Sequence, residues 1–222
     1  MMFQSLKRIM AALCVLCLLL SGCSGNKKEE QTNENEKIEI TENSVYLVPE
    51  NPTACMKSAY DELSKALTSG DDKAEAQALA KLFVSDFFTL SNKKADTDVG
   101  GLNYVPSDVY EDMEVYARFY FYNNYSAIKT DLGEDQLPTV KEVTVNNTEE
   151  ASITYDNQNY DGYKVSVEIA YEDTKAEDLK ESAVLSVIKI DDYDYETLKD
   201  LNSGELEETP MPKTLMRVIA LS

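Results

Sequence analysis

The sequence contains no histidine and no tryptophan, and only 4 of its 222 residues are cysteine. Without histidine, the chain cannot build a Ser-His-Asp or Cys-His catalytic centre, and it cannot offer imidazole to zinc. Catalysis would have to use Asp, Glu, Lys or Tyr, and a bound metal would have to be a hard cation such as Ca²⁺. These absences favour a protein that is not an enzyme and that carries no cofactor.

Basic residues are also scarce, because 21 Lys and Arg stand against 41 Asp and Glu, for a net charge of −20. Nucleic-acid binding needs a basic footprint, and none is visible in the sequence. The same charge disfavours adhesion to anionic lipid headgroups. We therefore expect no nucleic-acid partner, whereas a cation or a basic protein surface would suit the charge.

The first 22 residues are typical of a targeting segment. Lys7 and Arg8 precede an apolar run from Ile9 to Leu20. A bilayer core of roughly 30 Å needs about 20 helical residues to cross it, so this run is short for a membrane span. It matches the apolar region of a signal peptide, which we predict over residues 1–22.

The apolar run ends in the motif Leu20-Ser21-Gly22-Cys23. This motif resembles the lipobox of bacterial lipoproteins, in which an aliphatic residue and two small residues precede a cysteine. The resemblance implies that Cys23 is lipidated with a diacylglycerol and becomes the first residue of the mature chain. Two acyl chains anchor a protein stably, so we expect a lipid-anchored protein on the extracytoplasmic face of the cell membrane. The alternative is an ordinary secretory signal in which Cys23 is incidental.

Residues 23–44 are predicted to form the lipidated cysteine and a disordered tether. The stretch 25–37 is polar and contains no apolar residue, a composition that cannot offset the entropy of ordering. Cys14 and Cys17 would leave with the signal peptide, so Cys55 has no partner for an internal disulfide. The pattern of a folded chain begins at Val45, and we expect one domain over residues 45–222.

The first half of this domain predicts three helices. Asn51-Pro52-Thr53 is typical of a helix start, and Gly70 ends the apolar periodicity that follows. A second helix begins at Asp71 or Asp72. A third begins after Pro106 and carries two apolar stripes, which predict that it is covered on more than one side. One stripe comprises Val109, Met113, Tyr116, Ala117 and Tyr120, and the other Val115, Phe119 and Tyr122.

The second half predicts a run of strands over residues 140–145, 151–155, 165–171, 184–190 and 215–221. Three helices on an antiparallel sheet of four to five strands make an α+β fold. This element order resembles the NTF2-like and cystatin-like superfamily, which implies a curved sheet in a cone whose cavity the third helix helps to line. That superfamily includes enzymes, ligand pockets and protein-interaction modules, so the resemblance does not choose a function.

Tyrosines are abundant, with 14 against 6 phenylalanines. Tyr110, Tyr116 and Tyr120 fall on the third helix and are the candidate ligand-cavity residues. With a nearby carboxylate, they could also support proton transfer. The alternative is that this helix simply buries aromatic bulk.

Two groups of polar residues are candidates for a divalent cation. Asn157, Asn159, Asp161 and Glu168 have the spacing of an EF-hand loop around Gly162. However, the residues that follow alternate like a strand, so we favour a β-hairpin with its turn at Asp161-Gly162. Asp192 and Asp194 belong to the second group, for which the alternative is a solvated acidic loop.

These features together favour a lipid-anchored, non-catalytic domain that binds an envelope protein or serves as an accessory in an envelope assembly. The alternative is a lipoprotein that binds a small ligand in a tyrosine-lined cavity or calcium in an acidic loop. An enzyme based on Asp and Tyr is the third possibility.

Overall fold

Residues 38–204 and 210–222 are described by the structure, a computed structural model. They form an α+β fold with one open antiparallel sheet in the strand order β1-β2-β3-β4. The strands are β1 Val140–Tyr155, β2 Gln158–Tyr171, β3 Ser182–Asp192 and β4 Lys213–Leu221. The α-helices are α1 Ala54–Ser69, α2 Asp72–Phe87, α3 Tyr110–Tyr120, α4 Tyr125–Asp131 and α5 Tyr195–Ser203.

The first two helices form a hairpin whose ends are set by local capping. Thr53 caps α1 by accepting a hydrogen bond from the backbone N–H of Met56. Gly70 ends α1 in the left-handed conformation, with φ of 67°. The Asp71 carboxylate then accepts the N–H of Ala74 at 3.0 Å and starts α2. The predicted first and second helices are therefore confirmed.

The central helix of the domain is α2. It lies between α1 and the sheet and contacts all four strands. Leu79, Leu82 and Phe83 are fully buried on it, and even its polar residues Ser85 and Asp86 are excluded from water. Because α1 covers one side of α2 and the sheet covers another, buried side chains occur on more than one side of this helix.

The third helix is not buried in the way that its two stripes predict. The chain reaches α3 through two short 3₁₀ helices, Leu102–Tyr104 and Ser107–Val109. Ala117 is the buried residue of α3, whereas Val115 and Phe119 face solvent. The prediction of a helix covered on more than one side is wrong, because α2 already fills the position between the helical layer and the sheet.

The sheet differs from the predicted strands at one hairpin. The runs 140–145 and 151–155 belong to one long strand, β1, which leaves four strands instead of five. The turn to β2 is at Asp156 and Asn157, whose φ angles of 45° and 58° are typical of a type I′ turn. The predicted turn at Asp161-Gly162 is wrong. Gly162 lies within β2, where an added Cβ would be 2.4 Å from the carbonyl oxygen of Val187.

The segment before α1 packs against the helices. The backbone N–H of Asn43 donates to the Tyr60 hydroxyl at 3.1 Å, and its side-chain amide donates to Ser64 at 3.0 Å. Ile40 also contacts the core. The last residues of the predicted tether therefore contribute to the folded domain. The predicted signal peptide, the lipobox and residues 23–37 of the tether lie outside the described residues.

Candidate functional site

The clearest surface feature of the domain is the solvent side of α3. Val115 is 66% exposed, Tyr116 52%, Phe119 68% and Tyr120 60%. We call these four residues the outer aromatic face. Large apolar side chains normally scatter singly over a protein surface, so four on two turns of one helix form an unusual patch.

The opposite side of α3 packs against the domain, which is why the outer aromatic face stays exposed. Val109 and Met113 pack against the core, and Ala117 is fully buried. These residues recur at intervals of four, so they form a line of side chains through which α3 packs against the domain. Val115 and Phe119 of the second stripe are exposed instead, whereas its third member, Tyr122, is buried just after the helix.

The rings of the outer aromatic face contact one another and connect to the core. Tyr116 and Tyr120 have ring centroids 4.6 Å apart, and Phe119 meets Tyr120 edge to face at 4.9 Å. Phe121, at the end of the helix, packs on the buried ring of Phe87 at 5.2 Å. Edge-to-face contacts of this kind contribute about 0.5–1.5 kcal/mol each, so they favour the ring orientations seen here.

A groove of about 490 Å³ lies between α3 and the last residues of β4. We call it the β4 groove. Its helix side includes Met113 and Tyr116, and its strand side includes Val218 and Leu221. Asp112 is the charged residue at its rim. The remaining lining residues are mainly apolar: Phe83, Val105, Val109, Phe121, Tyr155, Ile219 and Ala220.

Buried hydrogen bonds hold the C-terminal end of α3. The Tyr122 hydroxyl donates to the carbonyl oxygen of Phe87 at 2.6 Å and accepts the N–H of Gly100 at 3.0 Å. Burial raises the pKa of Tyr122, so the phenol stays protonated and keeps its donor. Nearby, the Tyr125 hydroxyl donates to the backbone oxygen of Lys93 at 2.9 Å.

The N-terminal end of α3 is held by two carboxylates. Asp192 accepts hydrogen bonds from the backbone N–H and the hydroxyl of Ser107, just before the helix. Asp108 accepts a hydrogen bond from Tyr155 at the end of β1. Burial and this bond raise the pKa of Tyr155, which again keeps the donor in place. The outer aromatic face is thus displayed by a helix fixed at both ends.

The structure does not gather the three predicted cavity tyrosines in one enclosed cavity. Tyr116 borders the β4 groove, and Tyr120 is exposed on the outer aromatic face. Tyr110 instead stacks on Tyr195 with ring centroids 3.5 Å apart, beside a separate polar cleft of about 230 Å³. Tyr116 and Tyr120 therefore contact each other at the surface, whereas Tyr110 has different surroundings.

The EF-hand-like residues do not converge. Asn157 is in the turn, while Asn159, Asp161 and Glu168 lie along β2. At about 3.3 Å per residue, Asp161 and Glu168 are roughly 23 Å apart along the strand. Their odd and even positions also direct the two side chains to opposite faces of the sheet. An EF-hand needs a compact loop, and the strand conformation does not provide one.

Asp192 and Asp194 already have protein partners. Arg217 Nε lies 2.7 Å from Asp192 Oδ2, and both groups are buried. Asp194 caps α5 by accepting the N–H of Thr197 at 2.8 Å. Burial alone would raise the pKa of Asp194, but the bonds from Thr197 and the ammonium of Lys213 lower it. No group of three metal-ligating side chains occurs in residues 38–204 and 210–222.

Two buried ion pairs are features of the structure that were not predicted from the sequence. Besides Asp192 and Arg217, Lys93 Nζ lies 2.6 Å from Asp86 Oδ1 with both side chains nearly excluded from water. The second Asp86 oxygen accepts the N–H of Gly101 at 2.7 Å. A lone charged residue in an apolar strand or helix, such as Arg217, was the signal that could have indicated a buried partner.

In the part of the chain that the structure describes, no helix has the length and apolarity needed to cross a membrane. No family model, curated protein or solved structure matches the chain.

Proposed function

We propose that this protein is a lipoprotein, anchored through Cys23 on the extracytoplasmic face of the cell membrane, whose domain binds an envelope protein without catalysing a reaction. The observation that carries the proposal is the outer aromatic face of α3. The lipobox motif and the absence of histidine support the anchoring and the lack of catalysis respectively.

A protein partner suits this face better than solvent does. Tyrosine and phenylalanine are enriched in the buried centres of protein interfaces, where their large rings contribute much contact area with few rotatable bonds. The core side of α3 is fixed by Tyr122 and by Ser107. Because the helix is already ordered, a partner would not have to offset the entropy of forming it.

Charge indicates the chemistry of the partner surface. Glu111 and Asp112 are exposed on α3 and form no ion pair with any residue that the structure describes. With a net charge of −20, a second copy of the chain or an anionic membrane would be repelled. The face therefore fits an envelope protein with an apolar surface and a rim of Lys or Arg.

Crosslinking in intact cells tests this proposal. A photoreactive residue would replace Tyr120 in the lipidated protein, and the adducts would be compared with those of a variant that also carries Val115→Ser and Phe119→Ser. We expect one dominant, repeatable adduct that falls about tenfold in the double variant, because the centre of an interface dominates its affinity.

Met211→Ser is the matched control. Met211 is 85% exposed and lies just before β4, outside α3. This variant removes exposed apolar surface without changing the outer aromatic face, so its adduct yield should stay at the starting level. Equal yields in the double variant and the control would contradict the proposal.

The β4 groove favours a second candidate function, the binding of a small apolar molecule. Its volume of about 490 Å³ lies within the range of ligand pockets. Calcium binding belongs to the same alternative, but Asp192 would have to release Arg217 and Ser107 to bind the ion. Thermal unfolding with and without Ca²⁺, or with apolar compounds, distinguishes this function, because a specific ligand raises the unfolding temperature.

The NTF2-like arrangement and an Asp/Tyr-based activity also stay predictions. The bond between Tyr155 and Asp108, beside the β4 groove, is where such an activity would be sought. Burial raises the pKa of Tyr155, so almost no phenolate is present at neutral pH to act as a base, which supports the non-catalytic proposal.

A further inference from the structure

The two edges of the sheet are protected to different degrees. Both edge strands have irregular pairing, β1 after Val140 and after Val145, and β4 between Val218 and Ala220. β1 also carries exposed charged side chains at 141, 142, 149 and 150, and charges of this kind discourage another strand from pairing with an edge. The other edge, β4, is uncharged from Val218 to Leu221.

Part of the β4 edge is covered by a side chain of the domain. The backbone N–H of Met216 donates to the Tyr46 hydroxyl at 2.9 Å, and that hydroxyl donates to Glu75 at 2.6 Å. The backbone of Met216 therefore faces away from β3. Because the direction alternates along an antiparallel strand, Val218 also turns its backbone N–H and C=O outward.

Near the end of β4, the backbone N–H and C=O of a second residue, Leu221, also face outward. Ser222 and Val184 exchange both backbone hydrogen bonds, at 3.0 and 3.1 Å. Leu221, one residue earlier, must then face away from β3. Among residues 38–204 and 210–222, no loop or side chain donates to or accepts from the backbone of Val218 or Leu221.

These free backbone groups lie beside the β4 groove. Val218 and Leu221 border its strand side, and Met113 and Tyr116 border its helix side. Binding by strand addition combines main-chain hydrogen bonds at an edge with pockets for alternate side chains. The edge and the groove supply both parts, and Asp112 places a negative charge at the rim.

We propose that an extended segment of the partner pairs with the outer edge of β4 at Val218 and Leu221, as a fifth strand. Its apolar side chains enter the β4 groove, and a Lys or Arg beside them contacts Asp112. This inference rests on the proposed function, because it names the part of the partner that the domain recognises.

Synthetic peptides provide the probe. One is an eight-residue peptide of alternating valine and lysine, and its counterpart replaces lysine with glutamate. The measurements use the lipidated full chain in nanodiscs of neutral lipid, with labelled peptide for anisotropy and amide hydrogen exchange over 213–222. We expect the basic peptide to bind and to slow exchange of this segment about tenfold, while the acidic peptide does not bind.

Leu221→Pro and Leu221→Val form the matched pair of variants. Proline removes the outward N–H but leaves the bonds of Ser222 to β3, and valine keeps that N–H with a side chain of similar size. We expect proline to weaken binding of the basic peptide about tenfold relative to valine, since one backbone hydrogen bond is lost. A peptide N-methylated at alternate residues should also fail to bind.

Equal binding by the two variants, or binding of the N-methylated peptide, would overturn strand addition. Strand addition would also be overturned if a peptide of the same composition, with its valines at helical spacing, bound more tightly. Dimerisation of the chain in sedimentation would overturn it as well. If all peptides fail while Val115→Ser with Phe119→Ser still abolishes the cellular adduct, this inference falls and the proposed function stands. If all peptides fail and the double variant also leaves the adduct yield unchanged, both this inference and the proposed function are wrong.

Discussion

Arg217 in β4 and Asp192 at the end of β3 form a buried ion pair, with Arg217 Nε 2.7 Å from Asp192 Oδ2. The remaining guanidinium nitrogens donate to the backbone oxygens of Asn103 and Tyr193 at 2.9 Å. Because Asp192 also holds Ser107, this pair connects the sheet to the segment that leads into α3. The position of the outer aromatic face therefore depends on it.

Removing one member of this pair should strongly destabilise the domain. Arg217→Met leaves the Asp192 carboxylate buried without its counter-ion, and we expect a loss of about 3–5 kcal/mol in the free energy of unfolding. Urea unfolding followed by circular dichroism would measure it. Asp192→Asn combined with Arg217→Met should recover part of the loss, because no charge then stays buried.

An exposed ion pair provides the control for that measurement. Lys57 and Asp61 pair at 3.0 Å with about two fifths of each side chain in contact with water. Lys57→Gln should change the free energy of unfolding by less than about 1 kcal/mol. If Lys57→Gln and Arg217→Met cost the same, Arg217 does not form a buried pair in solution.

The position of the β1–β2 turn can be tested with two substitutions. Asn157→Val places a β-branched residue at a φ of 58°, so we expect a loss of about 1–2 kcal/mol in unfolding free energy. Gly162→Ala forces a Cβ towards the carbonyl oxygen of Val187, at an expected cost of about 1–3 kcal/mol. Asn157→Gly, which suits the turn, is the control. If valine at 157 is tolerated, the turn is elsewhere.

The two sides of α3 should respond differently to polar substitution. Val115→Ser with Phe119→Ser should change the free energy of unfolding by less than about 1 kcal/mol, because both side chains are exposed in the free domain. Ala117→Asp buries an unpaired charge on the other side and should cost at least about 3 kcal/mol. A large loss in the double variant would mean that the outer aromatic face is covered within the chain itself.

Cys55 should react slowly with alkylating agents. Burial raises its pKa, although Lys81 acts in the opposite direction, so less thiolate is present at any given pH below that raised value. We expect iodoacetamide to modify it about tenfold more slowly at pH 8 than after urea unfolding, with the difference shrinking as the pH rises. Lys81→Gln should slow the reaction further. A folded-state rate equal to the unfolded one would contradict the burial.

Local sequence signals predicted much of the backbone. Thr53, Gly70 and Asp71 act within one helical turn, so the α1–α2 hairpin could be predicted from neighbouring residues alone. The strict alternation of residues 165–171 likewise identified β2. The hairpin turn was misassigned because Asp161-Gly162 looks like a turn signal, whereas Gly162 is needed for its distant neighbour Val187.

The candidate site depended on contacts that periodicity does not contain. The two stripes of α3 were visible in the sequence, but not which of their residues the domain covers, since that depends on α2 occupying the central layer. Composition and local pattern thus determined α1, α2, most strands and the exclusion of histidine-based chemistry, but not α4 or α5. Only the tertiary structure decided that Val115 and Phe119 stay exposed and that Asp192 meets Arg217, because packing joins residues that are far apart in the chain.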